Sequence, residues 1–303
     1  MWDLIIIGGG PAGITAGIFS VRRALKTLIL EDITAPSQAM EAQIIDNYPG
    51  LPDISGIDFM EKLKEHAKKL NIEIREERVL SLLKEKNEFK VKTEKNEYET
   101  KAIIIATGAR YRKALIPGES EFVGKGVSYC PTCDAPFYKD KKVAVIGGGD
   151  SAVSGALLLK EIGADVILIH RRNELRAVES LQKKLFELKI KVKWNKIPVE
   201  IKGKDFVNSL IVQDVNTKEK EEIPVDGVFI CIGTVPTSEL AKDLGIEMDE
   251  NGFIKVNKNQ ETNVKGVFAA GDCCDNPLKQ IISACSDGAI ASTSAYKYIR
   301  ELK

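Results

Sequence analysis

The chain has 303 residues, and its 44 basic side chains balance its 44 acidic ones. A chain of this length is too long for one ordinary hydrophobic core, so we expect two domains; the balanced charge argues against binding to nucleic acid or to an anionic membrane. The longest uncharged apolar stretch, residues 4–19, contains Pro11 and five glycines and follows Asp3. This pattern favours neither a membrane span nor a secretory signal, and we expect a cytoplasmic protein.

The first 31 residues follow the order strand, glycine turn, helix, strand. A buried strand over 4–7 precedes the turn GGGPAG at 8–13, whose first, third and sixth residues fit G-x-G-x-x-G. Such glycines allow a tight turn and let a pyrophosphate approach the N-terminus of the following helix. Glu31 ends the next strand, where its carboxylate can accept hydrogen bonds from a ribose. We predict a dinucleotide site; the alternative is a helix and strand that need small residues only for close packing. The predicted contacts are Gly8, Gly10, Pro11, Ala12, Gly13 and Glu31.

The motif C-P-T-C at 130–133 could be half of a metal site or a redox dithiol. Zinc usually needs four thiolate or imidazole ligands, and the chain has only two histidines, His66 and His170, and no second C-x-x-C. The spacing lowers a thiol pKa and allows a reversible disulfide. We therefore predict a redox pair, Cys130 and Cys133, and no metal site. Asp134 follows the pair and is predicted to give and take the proton that thiol exchange requires, with a plain turn residue as the alternative.

A second glycine turn begins about 140 residues after the first and repeats its plan. A strand over 143–146 precedes GGGDSA at 147–152, and the strand after that turn ends in HRR at 170–172 instead of an acid. Arginines can form forked hydrogen bonds with the 2′-phosphate of NADPH, so NADPH is favoured over NADH. The alternative is a solvated basic patch, and the histidine is expected to contact a ribose or to be structural. The predicted contacts are Gly147, Gly149, Asp150, Ser151, Ala152, His170, Arg171, Arg172 and Arg176.

Each half of the chain closes with a polar, alternating stretch and a buried strand that ends in a predicted cofactor contact, Gly108 in the first half and Gly233 in the second. A third buried strand, 266–272, and a helix over 281–299 have no glycine turn of their own, so they should complete the first domain. The expected fold class is α/β, with two Rossmann-like, three-layer (ββα) nucleotide-binding domains, the second inserted into the first. The first domain is expected at 1–114 and 242–303, and the second, which carries the C-x-x-C pair, at 115–241.

Four further cysteines lie outside the motif. Cys273 and Cys274 are adjacent, and adjacent cysteines form strained disulfides, so a structural role is expected, with a secondary redox role as the alternative. Cys231 and Cys285 are expected to be buried small hydrophobes.

Three features together, GVSYCPTCD at 126–134, the nucleotide turns on either side of it and HRRNELR at 170–176, resemble the low-molecular-weight thioredoxin reductases. The resemblance covers essentially the whole chain. It implies FAD in the first domain, NADPH in the second, a homodimer, and thioredoxin or a similar small protein as partner. The segments 46–50 (DNYPG) and 271–281 look like the family's flavin-contacting segments, with Asp272 facing the ribityl chain. The flavin contacts implied by the resemblance are Gln38, Asn47, Gly271, Asp272, Lys279, Gln280 and Ile281.

By the same resemblance, electrons pass from NADPH through FAD to the Cys130–Cys133 disulfide and on to the disulfide of the partner. Cys130 would attack the partner disulfide, and Cys133 would lie nearer the flavin. Because one cysteine pair must reach both, the inserted domain is expected to rotate between two positions.

The chain departs from the family's usual sequence at two places. Pro36-Ser37 precedes Gln38 where the family has two glycines, so the loop at the flavin is expected to have a different shape. Ser154 and Gly155 replace two acids after the second glycine turn, which favours, as an alternative, a reductase of the same fold fed by ferredoxin or a reduced deazaflavin. A second alternative within the enzymes, a peroxiredoxin reductase, is not expected, because the sequence shows no sign of the extra N-terminal dithiol domain that it would need. A flavin-loaded redox sensor or binding module is the alternative from another class.

Overall fold

A computed structural model describes residues 1–35, 37–42, 44–86 and 88–302. The chain divides into two compact units: unit 1 comprises Met1–Arg110 and Val235–Lys303, and unit 2 comprises Tyr111–Thr234. The crossings at 110/111 and 234/235 lie four and seven residues before those expected from the sequence, at 114/115 and 241/242. In unit 1 the backbone N–H of Thr237 donates to the carbonyl of Gly108, and in unit 2 that of Arg112 donates to the carbonyl of Gly233. In each unit, this hydrogen bond links the two chain segments that lie next to the crossings.

The elements of the described residues are as follows. The strands are β1 (Trp2–Ile7), β2 (Thr27–Glu31), β3 (Glu73–Glu76), β4 (Val79–Glu85), β5 (Glu88–Thr93), β6 (Glu97–Ile105), β7 (Ala109–Tyr111), β8 (Val127–Ser128), β9 (Lys142–Ile146), β10 (Asp165–Ile169), β11 (Lys191–Lys193), β12 (Lys196–Gly203), β13 (Val207–Asp214), β14 (Lys220–Pro224), β15 (Gly227–Ile230), β16 (Thr234–Pro236) and β17 (Val267–Ala269). The α-helices are α1 (Pro11–Val21), α2 (Gly56–Lys69), α3 (Pro131–Asp134), α4 (Asp150–Ile162), α5 (Glu179–Glu187) and α6 (Ile281–Glu301). Short 3-10 helices lie at Gln38–Glu41, Ala135–Tyr138 and Glu239–Leu244. None of the helices in these residues is long and apolar enough to cross a membrane.

Unit 1 is built on one sheet with the strand order β3-β2-β1-β6-β5-β4. The strands β3, β2, β1 and β6 run parallel, whereas β4 and β5 are antiparallel to their neighbours. The long strand β6 belongs to both the antiparallel and the parallel part of the sheet. Its first half pairs with β5, and its last three residues pair in parallel with β17. Alternate side chains of β1 enter two cores. Leu4 and Ile6 pack with α1, α2 and α6, and Ile5 and Ile7 pack with β4 and β5.

Unit 2 has a parallel sheet in the order β11-β10-β9-β15-β8 and a separate antiparallel sheet in the order β12-β13-β14. Val143 and Val145 of β9 pack with α4 and α5, and Ala144 and Ile146 pack with the antiparallel sheet. Each unit thus combines a parallel sheet, helices on one side and antiparallel strands on the other. The predicted α/β fold class is confirmed.

Candidate functional site

The first glycine turn joins the end of β1 to the start of α1. A side chain at Gly8 is excluded, because its φ of +117° favours glycine and a Cβ atom there would collide with the carbonyl oxygen of Ala106. A Cβ atom on Gly13 would collide with the carbonyl oxygen of Gly8. The helix α1 has Pro11 at its first position and Gly10 as its N-cap, and glycine has no side chain to bond the first N–H groups of the helix. The turn therefore offers backbone N–H groups and a helix N-terminus to an anionic group such as a pyrophosphate.

Glu31 ends β2 and lies across the first glycine turn. A Cβ atom on Gly9 would lie 2.6 Å from its Cδ atom. The Nζ atom of Lys64, on α2, donates to Oε1 of Glu31 at 2.8 Å. A carboxylate accepts several hydrogen bonds, so this ion pair orients Glu31 and leaves capacity for a ribose hydroxyl.

Two segments of unit 1 that the sequence assigns to the flavin approach each other. The Nδ2 atom of Asn47 donates to Oε1 of Gln280 at 3.1 Å, and Gln280 is the N-cap of α6, with a capping box. Gln38 begins a short 3-10 helix, and its Nε2 atom is buried without a hydrogen-bond partner in the part of the chain that the structure describes. A buried amide nitrogen without an acceptor is costly, which fits a site completed by a ligand with acceptor atoms. Pro36, one of the two residues on which the predicted change of loop shape depends, lies outside the described residues.

The carboxylate of Asp287, on α6, joins three segments of unit 1. It accepts hydrogen bonds from the backbone N–H of Gly271 (3.3 Å), from Nδ2 of Asn276 (2.8 Å) and from Nε2 of Gln260 (3.1 Å). Burial raises the pKa of Asp287, and the hydrogen bonds from Asn276 and Gly271 oppose this increase. Gly271 has a φ of +80°, so Asp287 fixes a turn that favours glycine.

Asp272 follows this turn, and Lys279 lies nearby. Burial raises the pKa of Asp272 to about 6, with Lys279 opposing the increase and Asp287 adding to it. A carboxyl group with such a pKa can present either an O–H donor or a carboxylate acceptor near pH 6. The Nζ atom of Lys279 donates to the carbonyl of Cys274 and lies 4.4 Å from the centre of the Phe253 ring, which fixes its position. Ile281, at the start of α6, packs against the helical core of unit 1.

The C-P-T-C motif forms the start of α3 in unit 2. Cys130 is the N-cap and Pro131 is the first helical residue. The backbone N–H groups of Cys133 and Asp134 donate to the carbonyl oxygen of Cys130, at 3.0 and 3.1 Å. This single turn brings the two cysteines to a Cα–Cα distance of 5.3 Å, and they form a disulfide. Both cysteines are half-buried, so the pair is partly accessible to another sulfur atom.

Asp134 ends α3, and Tyr138 lies in the 3-10 helix that follows. Burial raises the pKa of Tyr138 to about 12, and Asp134 and Asp226 add to the increase. The Tyr138 ring meets the ring of Phe229, on β15, edge-on at 4.9 Å. The segment that carries the dithiol is therefore anchored to the parallel sheet of unit 2.

The second glycine turn joins β9 to α4. The backbone N–H of Gly147 donates to the carbonyl of Ile169 at 3.1 Å. Gly149 is the N-cap of α4, and in the first turn of the helix Ser151 is exposed and Ala152 is fully buried. As in the first turn, the N-cap is a glycine and makes no side-chain capping bond.

The loop after β10 carries three exposed cations and is tied to this turn. The backbone N–H groups of Arg176 and Ala177 donate to the carbonyl of Gly148, at 2.7 and 3.1 Å. The Oδ1 atom of Asp150 accepts from the backbone N–H of Val178 at 2.8 Å. These hydrogen bonds hold the loop at the helix N-terminus. Its exposed cations are Arg171, Arg172 and Arg176.

His170, at the end of β10, lies against Gly148, where a Cβ atom would overlap the imidazole ring. Burial lowers the pKa of His170, which favours the neutral ring near pH 7. Its Nε2 atom is buried and has no hydrogen-bond partner among the described residues. As with Gln38, this unpaired atom fits a site that a ligand completes.

The family model for pyridine nucleotide-disulphide oxidoreductases matches residues 2–288. The chain belongs to this family. The oxidoreductase is 41% identical to a thioredoxin reductase of Bacillus subtilis (strain 168), over 100% of this chain and 96% of that protein. The crystal structure of thioredoxin reductase from Streptococcus pyogenes MGAS5005 is 38% identical, with a TM-score of 0.93 and 99% of each chain covered. A ferredoxin-flavin thioredoxin reductase from Clostridium acetobutylicum is 31% identical, with a TM-score of 0.53 over 99% of this chain and 98% of that chain. The resemblance predicted from the sequence is confirmed, and the family implies a flavin and a pyridine nucleotide.

The oxidoreductase has four buried free thiols outside the C-P-T-C motif. The Sγ atoms of Cys273 and Cys274 are 4.0 Å apart, so these adjacent residues are not bonded to each other. Burial raises the pKa of Cys231 to about 12 and also raises that of Cys285. Buried thiols with a raised pKa are poor nucleophiles, which favours structural roles for Cys231 and Cys285. No group of three or more His, Cys, Asp or Glu side chains within the described ranges could hold a metal ion.

Sequence reasoning missed two residues at the first site of the oxidoreductase. Asp287 could have been noticed as an acid among the small and apolar residues of the C-terminal helix. Lys64 gave no signal, because it is one of four lysines in the segment 62–69 and its approach to Glu31 depends on how α2 packs.

Proposed function

We propose that this oxidoreductase reduces the disulfide of thioredoxin, or of a similar small protein, with electrons from NADPH and with FAD as its bound cofactor. The observation that carries the proposal is the Cys130–Cys133 disulfide at the start of α3, in the unit that contains the second glycine turn. The full-length identity of 41% with a protein named thioredoxin reductase supports the same substrate class. When bound, FAD supplies two-electron chemistry between a pyridine nucleotide and a disulfide.

The residues of unit 1 fit FAD. The first glycine turn suits the pyrophosphate, and Glu31, held by Lys64, suits a ribose. The unpaired Nε2 atom of Gln38 and the Asn47–Gln280 hydrogen bond support a polar ligand between these segments. The residues proposed to hold FAD are Gly8, Gly10, Pro11, Ala12, Gly13, Glu31, Gln38, Asn47, Gly108, Gly271, Asp272, Lys279, Gln280 and Ile281.

The residues of unit 2 fit NADPH. The loop that carries the exposed arginines is tied to the second glycine turn through Gly148 and Asp150, which supports a contact of these cations with a phosphate on the adenosine ribose of a nucleotide bound there. His170, neutral and with one unpaired nitrogen, suits a contact to the same nucleotide. The residues proposed to hold NADPH are Gly147, Gly149, Asp150, Ser151, Ala152, His170, Arg171, Arg172, Arg176 and Gly233.

The cysteine pair performs the thiol exchange. In the reduced pair, the thiolate of Cys130 attacks one sulfur of the partner disulfide, which breaks that disulfide and forms a mixed disulfide. Cys133 then attacks the Sγ atom of Cys130, which restores the Cys130–Cys133 disulfide and releases the partner as a dithiol. Asp134 takes the proton from the attacking thiol and returns protons to the leaving thiolates. The two electrons of the protein dithiol thus end on the two sulfurs of the partner.

A second candidate keeps this exchange but takes electrons from ferredoxin or a reduced deazaflavin. It is favoured by Ser154 and Gly155, which stand where the resemblance would place acids, and by the similarity to a ferredoxin-flavin thioredoxin reductase. The three exposed arginines of the loop that is tied to the second glycine turn favour NADPH instead.

We also propose a homodimer in the cytoplasm. Exposed apolar side chains of unit 1, Phe19 on α1 and Ile57 on α2, suit a protein interface. Four free thiols beside one redox pair suit a reducing compartment. Size-exclusion chromatography with light scattering would measure the molar mass, and a monomer would contradict the proposed dimer.

The decisive test is an anaerobic titration of the purified flavoprotein with NADPH, NADH and reduced ferredoxin in parallel. We expect NADPH to bleach the flavin absorbance at near-stoichiometric amounts and, with oxidised thioredoxin present, to sustain the production of free thiols. The Cys130→Ser variant is the control: its flavin should remain reducible while thioredoxin reduction stops. A flavin that only ferredoxin reduces would overturn the NADPH assignment. A flavin that NADPH reduces without any thioredoxin turnover would favour a sensor or binding module.

A further inference from the structure

Pro131 and Gly155 form a contact between the dithiol helix α3 and the nucleotide-site helix α4. A Cβ atom on Gly155 would lie 2.6 Å from Cγ and 2.9 Å from Cβ of Pro131, and both residues are buried. The proline ring is closed on its own backbone, so it cannot turn away as a flexible side chain would. Packed interiors do not tolerate such short contacts. Pro131 therefore fits at the start of α3 because position 155 has no side chain.

The rest of the dithiol segment, residues 130–138, also packs closely against its neighbours. Ala135 is fully buried in the core that contains α4. Tyr138 packs on Phe229, and a Cβ atom on Gly227 would lie 2.9 Å from the Tyr138 Cδ1 atom. Gly155 thus lies next to the start of the segment, at Pro131, and Gly227 lies next to its end, at Tyr138.

Gly155 is otherwise an unfavourable choice for α4. It lies in the interior of the helix Asp150–Ile162, where glycine is less favourable than alanine by about 1 kcal/mol. A glycine inside a helix usually has a packing or functional reason, and the Pro131 ring supplies one. This reason does not depend on the electron donor, so the absence of an acid at 155 need not reflect the loss of a nucleotide.

We propose that Gly155 is a positioning residue for the redox pair: by admitting the Pro131 ring, it seats the first turn of α3 on α4 and keeps Cys130 and Cys133 ready to form their disulfide. The proposal rests on the redox role of the pair under the proposed function. Seating the turn raises the effective concentration of one thiol at the other. In a glutathione buffer, the protein dithiol and oxidised glutathione are in equilibrium with the protein disulfide and two molecules of reduced glutathione. The higher effective concentration shifts this equilibrium toward the protein disulfide. A side chain at position 155 pushes the first turn of α3 away from α4 and shifts this equilibrium toward the dithiol.

The test compares four FAD-loaded, full-length proteins: wild type, Gly155→Ala, Pro131→Ala and the double variant. Each is equilibrated anaerobically with glutathione redox buffers, quenched with an alkylating agent and analysed by mass spectrometry for Cys130 and Cys133. Overpacking a core costs about 1–3 kcal/mol, and the dithiol form can relieve part of this strain because its two cysteines are no longer bonded to each other; we therefore expect Gly155→Ala to shift the equilibrium toward the dithiol by about tenfold. In the Pro131→Ala background the same change should shift it by less than about threefold. Ser154→Ala, at the neighbouring exposed position of α4, is the matched control and should leave the equilibrium unchanged.

Thermal unfolding gives a second readout with a change of sign. Alanine favours a helix over glycine, so Gly155→Ala should raise the Tm in the Pro131→Ala background and lower it beside Pro131. Equal effects in both backgrounds, or no shift of the glutathione equilibrium, would overturn the proposal. If Gly155→Ala alone fails to fold, a folded double variant supports the proposal, and a double variant that also fails to fold refutes it. The glutathione equilibrium involves neither NADPH nor thioredoxin. A normal wild-type equilibrium without coupling between 131 and 155 would therefore refute this inference alone, whereas failure to reduce thioredoxin would refute the proposed function alone.

Discussion

The carboxylate of Asp287 accepts the backbone N–H of Gly271 at 3.3 Å, one residue before Asp272. This bond ties α6, which packs against α1, to the turn that carries a proposed flavin contact. The same carboxylate takes two more hydrogen bonds, from Asn276 and Gln260, so that one buried side chain determines where the turn lies.

We expect Asp287→Ala to weaken FAD binding by at least about tenfold, because a buried donor left without its acceptor costs about 1–3 kcal/mol. Asp287→Asn keeps one acceptor oxygen and should have an intermediate effect. Titration of apoprotein with FAD, followed by flavin fluorescence, measures the dissociation constant. Ser286→Ala, at an exposed position of the same helix, is the control. Equal affinities for all four proteins would mean that Asp287 does not position the flavin site.

Asp272 should make the stability of the apoprotein depend on pH. Its pKa is raised to about 6 in the folded protein, so it binds a proton more tightly there than in the unfolded chain. The wild type should therefore lose stability as the pH rises from about 4 to about 6, and the loss should persist above pH 6. Asp272→Asn avoids the burial of a charge and should be more stable by about 1–3 kcal/mol at pH 7.5, with the difference vanishing near pH 4. Urea unfolding of both apoproteins across this range measures the difference; a variant that is less stable at pH 7.5 would contradict the raised pKa.

Lys64 should assist FAD binding through Glu31. Its side chain is 41% exposed, so the ion pair contributes less than about 1 kcal/mol, and we expect Lys64→Met to weaken FAD binding only about threefold. The effect should shrink at high salt, since exposed ion pairs are screened. Lys62→Met removes an exposed charge from the same helix and should leave the FAD affinity unchanged. If both variants lose affinity equally, the effect comes from net charge and not from the orientation of Glu31.

The fold followed from local patterns, whereas parts of the candidate site did not. The alternation of β1 between two cores and the glycines at 8 and 13 are consequences of strand period and backbone geometry, which a sequence displays directly. The contact of Pro131 with Gly155 joins positions 24 residues apart, and that of Asp287 with Gly271 depends on the docking of α6. No local pattern encodes such approaches. The sequence could show that Gly155 departs from a family pattern, but only the packing of α3 on α4 shows which neighbour occupies the space.

The loop after β10, which carries Arg171, Arg172 and Arg176, should determine the choice between NADPH and NADH. Charge-assisted hydrogen bonds contribute about 1.5–3 kcal/mol each, so we expect Arg172→Ala to lower the kcat/KM for NADPH by about tenfold or more. NADH has no 2′-phosphate and serves as the internal control, because its kcat/KM should change little. The double variant Arg172→Ala, Arg176→Ala should lower the ratio of the two values further. Stopped-flow reduction of the flavin by each nucleotide measures both; equal losses with NADPH and NADH would show that the arginines do not recognise the phosphate.

The two cysteines should differ in their capacity to trap the partner. If Cys130 attacks the partner disulfide and Cys133 resolves the product, then Cys133→Ser cannot complete the exchange and should accumulate a mixed disulfide through Cys130. Cys130→Ser should accumulate little, because the remaining thiol is not the attacking one. Each variant is reduced, mixed with oxidised thioredoxin and analysed by non-reducing electrophoresis and mass spectrometry of the linked peptides. The double variant with both serines controls for adventitious links through the four buried thiols. Since both cysteines are half-buried, burial alone does not select the attacking thiol, and a mixed disulfide that forms mainly in the Cys130→Ser variant would reverse the two roles.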